Sequence, residues 1–167
     1  YHAAERRTYR VGGQPAGPVP SADMCQYEGN LWTEVAIEGG DLDARKSMRV
    51  VYDSARERLV TFGGIYGGLV VDPEFSDVTR VFDDGQWTEL AIAGDKPSPR
   101  SASAMAYDEA RDRVVLFGGG NNAAIFGDTW EFDGTSWEQR SPSSAPSPRV
   151  HPRRVYDPIR ERSLLFG

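Results

Sequence analysis

The side chains best suited to catalysis or metal binding are few in this chain. It has one cysteine, Cys25, and two histidines, His2 and His151, and none of them lies at a recognisable metal-ligand spacing. No G-x-S-x-G elbow, phosphate-binding loop or dinucleotide-binding fingerprint is present. We therefore expect both histidines to be structural and predict no catalytic residue, no metal and no cofactor. The single cysteine excludes an internal disulfide and is compatible with either a cytoplasmic or a secreted protein.

Aspartates recur in a fixed pattern that calcium binding could explain. The pattern D-x-x-R-x-R begins at Asp53, Asp108 and Asp157, and a further pair stands at Asp83-Asp84. No D-x-D-x-D-G loop surrounds any of them. An aspartate carboxylate also accepts hydrogen bonds from backbone N–H groups about two residues further on, which holds a tight turn. The pattern therefore predicts turns rather than a calcium site.

These turns belong to a repeat that covers the chain. Four segments align without gaps, YHAAERRTYRVGG, YDSARERLVTFGG, YDEARDRVVLFGG and YDPIRERSLLFG, beginning at Tyr1, Tyr52, Tyr107 and Tyr156, which are 51, 55 and 49 residues apart. An arginine stands seven places before each of the last three tyrosines, and two more lie in each D-x-x-R-x-R turn. Bidentate pairing with carboxylates would explain the choice of arginine at these positions. A repeat of about 50 residues predicts one supersecondary unit per copy, with neighbouring units stacked on each other.

Each unit contains four short runs with strand character, here called A to D. Strand A is predicted at 47–52, 102–107 and 150–156, and strand B at 7–11, 58–62, 113–117 and 162–166. Strand C ends in an aromatic residue at 27, 82 or 132, and strand D carries a tryptophan five residues later. The double glycine that ends strand B predicts a close approach of the backbone to a neighbouring unit. No stretch shows a helical period, so the sequence predicts antiparallel four-stranded meanders.

The recurring set Arg…Tyr-Asp…Phe-Gly-Gly…aromatic…Trp resembles the kelch repeat. It is similar to the bacterial type with units such as MAYDEARDRVVLFGG followed by DTWEFDGTSW, and to the central domain of galactose oxidase. The resemblance implies a β-propeller in which each unit is one blade, with strand A nearest the central channel and strand D outermost. Several positions depart from the repeat: His2, Glu5, Val11, and Cys25 and Arg80 at the place of Trp130.

The register of the repeats predicts an all-β fragment of a kelch-type propeller with two complete and two partial blades. The partial blades are expected at 1–44 (strands B–D) and 148–167 (strands A and B), and the complete ones at 45–97 and 98–147. Because propellers have four to eight blades, we expect either further blades in a longer protein or a ring completed by self-association.

Composition narrows the range of partners. The formal net charge of −6 argues against nonspecific nucleic-acid binding, which depends on a basic surface. No apolar stretch is long enough to suggest insertion in a membrane. The recurring pairs Phe82/Trp87 and Phe132/Trp137 could form a sugar-stacking ladder, but their identical place in each unit favours a core between blades.

The segments between strands B and C differ from unit to unit. Variable loops on a rigid scaffold often contain the residues that bind a partner. They are 14–21, 65–77 and 120–127. We predict a non-catalytic scaffold that binds a protein, or alternatively a carbohydrate, through these loops. The candidate binding residues are Tyr66, Leu69, Phe75, Asn121, Asn122 and Phe126. Two alternatives stay open: the loops could instead cover neighbouring blades, and the protein could be a propeller enzyme, such as a copper radical oxidase, with its active site outside this segment.

Overall fold

The computed structural model describes residues 7–13, 20–38, 43–67 and 73–167, and every regular element in these ranges is a β-strand. Tyr1, His2, Glu5, Leu69 and most of the loop 14–21 lie outside the described residues. In chain order the strands are β1 (Thr8–Gly13), β2 (Ser21–Glu28), β3 (Leu31–Glu34), β4 (Arg45–Lys46), β5 (Arg49–Asp53), β6 (Arg58–Phe62), β7 (Ile65–Tyr66), β8 (Glu74–Phe75), β9 (Thr79–Asp83), β10 (Gln86–Glu89), β11 (Ala104–Asp108), β12 (Arg113–Phe117), β13 (Thr129–Phe132), β14 (Trp137–Arg140), β15 (Arg153–Asp157) and β16 (Arg162–Phe166).

Two antiparallel four-stranded sheets form the centre of the described structure. Their orders are β5-β6-β9-β10 and β11-β12-β13-β14, so each is the meander A-B-C-D that the repeat predicts. A three-stranded sheet, β1-β2-β3, precedes them and the pair β15-β16 follows. Among the A strands, β5 contacts β11, and β11 contacts β15. This arrangement confirms an all-β fold of stacked blades, with strand A on the inner side.

The A strands begin two or three residues later than the sequence predicts. Ser47, Ala102 and His151 occupy equivalent positions five residues before the repeat tyrosines, and each has a positive φ, of 56°, 54° and 59°. A left-handed residue interrupts the extended backbone, so the ladder can begin only after it. His151 therefore lies before β15 and not on the strand.

The segment 65–77, which the sequence predicts as a loop, contains two short strands. Strands β7 and β8 pair with each other, and β4 pairs with β7, which makes a small three-stranded sheet. Pairing with β4 satisfies backbone groups that an open loop would leave to solvent.

The recurring aspartates of the repeat form turns, as predicted. The carboxylate of Asp53 accepts a hydrogen bond from the backbone N–H of Arg56, and Asp108 does the same for Arg111. The Arg56 guanidinium also forms a bidentate pair with Asp112 of the next blade, with N–O distances of 2.8 and 3.1 Å. Arg56 therefore links two blades as well as closing its own turn.

The glycine pairs lie where neighbouring blades come closest, which confirms their predicted role. A Cβ on Gly63 would lie 2.5 Å from the carbonyl oxygen of Arg100, and one on Gly118 would lie 2.8 Å from that of Arg149. Both glycines also have positive φ. A side chain at either position would therefore collide with the next blade.

The hydrophobic core lies between the sheets. Trp137 is buried, and its ring contacts Phe132 of its own sheet and Phe62 of the preceding sheet, with centroid distances of 5.1 and 5.3 Å. Trp87 is buried in the equivalent core between the first and second sheets. The third member of the register, Trp32, is 50% exposed, because it lies on the face of the first sheet on which no other described sheet packs.

Stability should fall in acid because inter-blade carboxylates are ionised in the folded state. The Arg56 guanidinium and the Tyr107 hydroxyl both donate to Asp112 and hold its pKa below the usual range. A carboxyl with a depressed folded pKa contributes stability above its unfolded pKa, near 4, and that contribution is lost as the pH falls through the folded value. We expect the midpoint of urea unfolding to drop steeply below about pH 4.

Asp112→Asn is the matched variant for this measurement, because asparagine tolerates the left-handed backbone of Asp112, whose φ is 54°. It should be less stable at pH 7 and lose less stability between pH 7 and pH 3. Parallel pH profiles for the two proteins would contradict the assignment.

Candidate functional site

A chain of backbone hydrogen bonds joins the segments that precede the three A strands. The N–H of Ala102 donates to the carbonyl of Ser47 at 3.0 Å, and the N–H of His151 donates to the carbonyl of Ala102 at 2.8 Å. We call these three residues the inter-blade belt. Because each belongs to a different blade, the belt holds three blades in register on the side where the B–C loops lie.

A cavity of about 200 Å³ lies at this belt. Its apolar walls come from three blades: Ile65 and Phe75 from the small sheet, Ile125 from the next B–C loop, and Val150 from the start of the last unit. Ile125 and Val150 are 58% and 42% exposed. The site, here called the loop-face cavity, is therefore an apolar surface that remains open to solvent.

Polar groups at the loop-face cavity are few and mostly occupied. The Asn121 side chain accepts hydrogen bonds from the backbone of Ala123 and Ala124 and donates to the carbonyl of Pro99 at 2.8 Å. Gly120 exchanges two backbone hydrogen bonds with Ser101. These bonds hold the loop in one shape, so the cavity has a rigid rim and an apolar lining.

A larger cavity of about 550 Å³ lies against the first sheet, along residues 22–24 and 34–37. All of its lining comes from two adjacent strands and their continuation in one blade, and Met24 within it is a fully buried core residue. Segments from different blades do not meet there. The loop-face cavity, which three blades build together, is the better candidate for recognition.

Two buried arginines support the loops around this site. Arg100 pairs with Asp128 through two N–O contacts of 2.5 and 2.9 Å, and its guanidinium lies 3.9 Å from the ring centre of Phe126. Arg45, at the equivalent place one blade earlier, donates to the carbonyl of Gly63 and lies 5.5 Å from the ring centre of Tyr66. Through these contacts each buried arginine holds the B–C loop of its own blade in place.

A family model described as the KLHDC2/KLHL20/DRC7 Kelch-repeats domain matches residues 2–154. The chain belongs to the kelch-repeat family. The match confirms the resemblance to the kelch repeat, and with the stacked antiparallel sheets it confirms the kelch-type propeller fold. The likeness to the galactose oxidase central domain stays a prediction. Kelch domains generally bind proteins.

The structure brings only some of the predicted binding residues of this kelch domain together. Phe75 and Asn121 line the loop-face cavity, whereas Phe126 covers Arg100 and the Tyr66 hydroxyl lies within 3.5 Å of Asp43 and Ser76. Asn122 is exposed, and Leu69 lies outside the described residues. A binding role for these six residues stays a prediction.

Sequence reasoning did not select Ile125, Val150 or His151, which also line the kelch loop-face cavity. Ile125 lies inside the predicted variable loop 120–127. A large apolar side chain in such a loop is the one feature of the sequence that could have identified it as a binding residue. Val150 and His151 lie in the repeat itself, and nothing in their residue types indicates a position at a cavity.

The described part of the kelch chain contains neither a metal-binding cluster nor a membrane-spanning helix. Among those residues, no three His, Cys, Asp or Glu side chains are grouped closely enough to hold a metal ion. Within the same residues, no helix has the length and apolar character needed to cross a membrane.

Proposed function

We propose that this kelch domain is a non-catalytic scaffold that binds a partner protein at the loop-face cavity. The observation that carries the proposal is the exposed apolar lining built jointly by three blades. Exposed apolar side chains grouped on a rigid surface are typical of protein interaction sites. The membership of the kelch family supports the same role, because kelch domains generally bind proteins.

The size and lining of the cavity favour a protein partner over a free small molecule. Pockets that enclose drug-sized ligands have volumes of about 300–1,000 Å³, whereas the loop-face cavity has about 200 Å³. It is suited to a single large side chain that projects from a partner. Its aliphatic walls, Ile65, Ile125 and Val150, offer few hydrogen bonds to the hydroxyl groups of a sugar.

The belt supports binding by keeping the cavity in shape before the partner arrives. Its hydrogen bonds and those of Asn121 fix the backbone on both sides of the cavity. A preformed site loses less conformational entropy on association, so more of the contact energy appears as affinity.

The proposal is tested by changing one exposed isoleucine at the cavity and one far from it. Ile125→Asp places a charge on the apolar wall, whereas Ile159→Asp makes the same change at the 89% exposed tip of an A–B turn. Peptides selected for binding to the wild-type domain from a random displayed library serve as probes. We expect Ile125→Asp to weaken them at least tenfold, as for an interface hot spot, with an unchanged melting temperature, and Ile159→Asp to bind normally.

Two results would contradict the proposal. If the selected peptides bind Ile125→Asp as tightly as the wild type, the cavity is not the recognition site. If Ile125→Asp lowers the melting temperature and the affinity together, the isoleucine packs between blades and the loops serve the fold.

A further inference from the structure

Arg45 and Arg100 occupy the same place in successive repeats, and both are fully buried. Their surroundings are related by the same backbone contacts. The carbonyl of Val78 accepts from the N–H of Gly63 at 3.3 Å, and the carbonyl of Asp128 accepts from the N–H of Gly118 at 3.2 Å. Val78 is therefore the counterpart of Asp128, and each arginine can be compared with the other.

Arg100 has acceptors for each of its three guanidinium nitrogens. Its Nε donates to the carbonyl of Ser98 at 2.9 Å and its Nη1 to that of Gly118 at 3.2 Å. The Asp128 carboxylate accepts one hydrogen bond from Nη1 and one from Nη2, so four of the five N–H donors are used. A buried guanidinium is stable in this setting because its charge is paired and most of its donors are used.

Among the described residues, Arg45 has no carboxylate partner of this kind. Its Nη1 donates to the carbonyl of Gly63 at 2.8 Å and to the Ser76 hydroxyl at 2.9 Å. Its Nε and Nη2 have no acceptor among the residues that the structure describes. Unpaired donors on a buried charge lower the stability of the fold. The Nε and Nη2 side of Arg45 therefore differs from that of Arg100, where both nitrogens have acceptors.

The nearest carboxylates are held by another arginine. Asp43 and Glu89 contact the Nη2 of Arg80 at 2.8 and 3.2 Å, whereas neither is within ion-pair distance of Arg45. Burial lowers the pKa of the Arg45 guanidinium, and the positive charge of Arg80 adds to this, whereas Tyr66 and the more distant charges of Asp43 and Glu89 act in the opposite direction. Two positive charges therefore lie close together, and no carboxylate among the described residues accepts a hydrogen bond from the Nε or Nη2 of Arg45.

We propose that Arg45 is a binding site for a small monocarboxylate of the formate or acetate class. The Nε and Nη2 hydrogens of a guanidinium are parallel and match the two oxygens of a carboxylate, as the Nη1 and Nη2 donors of Arg100 match Asp128. The source is a free acid and not a partner's side chain, because Arg45 is fully buried and only a small molecule can reach it by local opening.

The test compares the thermal unfolding of three forms of the domain in sodium formate and in sodium chloride at equal ionic strength. Val78→Asp supplies a carboxylate in cis at the position of Asp128, and Val78→Asn is the matched neutral variant. The wild-type midpoint should be about 3 °C higher in formate at ten times its dissociation constant than in chloride. Val78→Asn should respond like the wild type. Val78→Asp should be more stable than Val78→Asn in chloride and should not respond to formate.

Each result decides the proposal. A wild-type midpoint equal in formate and chloride shows that the donors of Arg45 are satisfied without a carboxylate and overturns the site. A formate response of the same size in Val78→Asp and Val78→Asn places the binding elsewhere and overturns it as well. If Val78→Asp does not fold, Arg45→Met is used instead. A formate response that persists in Arg45→Met excludes the site, and its loss supports it.

Discussion

Trp137→Ala is expected to reduce the free energy of unfolding by about 4 kcal/mol, which is typical of truncating a buried tryptophan. The side chain is 5% exposed and packs against Phe132 in its own sheet and Phe62 in the preceding one. Its Nε1 also donates to the buried hydroxyl of Thr79 at 2.9 Å, across the interface between the blades. Alanine would leave a cavity and an unpaired hydroxyl at the same place. Urea unfolding followed by circular dichroism measures the loss.

Trp32→Ala is the matched control for this prediction, because Trp32 occupies the same register position in the first sheet. Its ring contacts Tyr27 at 5.1 Å but is 50% exposed. We expect a loss of about 1 kcal/mol or less, since little apolar area is buried there. Equal losses for the two variants would show that the indole contributes within its own sheet and not between blades.

The repeat could be predicted from sequence because its strands are local and their residues recur in register. The B strands at 58–62, 113–117 and 162–166 have the predicted bounds. The A strands do not, since their first residues depend on the left-handed backbone of Ser47, Ala102 and His151. Serine, alanine and histidine share no property that predicts this conformation. The hydrogen bonds of the belt, which link residues about 50 positions apart, impose it.

The candidate site could be predicted only in part for a related reason. Variation between repeats directs attention to the B–C loops, and of the residues predicted there Phe75 and Asn121 line the loop-face cavity. Val150 reaches the same cavity because the belt brings the last unit beside the others. A cavity formed by three blades depends on the angle between blades, and no single repeat contains that information.

The recurrent arginines show that the interactions of a residue in one repeat do not always predict those of its counterpart in another. Bidentate pairing with a carboxylate is the correct prediction for Arg56 and Arg100. It is wrong for Arg45 and for Arg149, which donates to the carbonyls of Ser147 and Gly167 and to the Ser147 hydroxyl. The sequence already contained the difference that leaves Arg45 without a carboxylate. Aligned on the strand C phenylalanines, Asp128 of the third unit stands opposite Val78 of the second. The arginine recurs while its partner does not, so the repeats share a scaffold but not all of its chemistry.

Asp128→Asn should be nearly as damaging as the loss of Trp137, although asparagine has almost the size and shape of aspartate. Burial alone would raise the pKa of Asp128, but hydrogen bonds from Arg100 and from the Trp130 indole, at 2.7 Å, hold it below the usual range. The neutral amide would leave the buried Arg100 charge without a counter-ion. Breaking a buried ion pair by removing one partner costs roughly 3–5 kcal/mol, and we expect about 3 kcal/mol because Asp128 is partly exposed.

Asp77→Asn makes the same change in a carboxylate that pairs with Lys96 at 3.0 Å at the surface. Exposed pairs contribute about 1 kcal/mol or less, so this variant should unfold at nearly the wild-type urea concentration. The difference between the two variants isolates the effect of burial, since the residue change is identical. If both variants lose the same small amount, Arg100 is solvated or paired by another group when Asp128 is neutral. The ion pair between Arg100 and Asp128 would then orient the B–C loop without stabilising the blade.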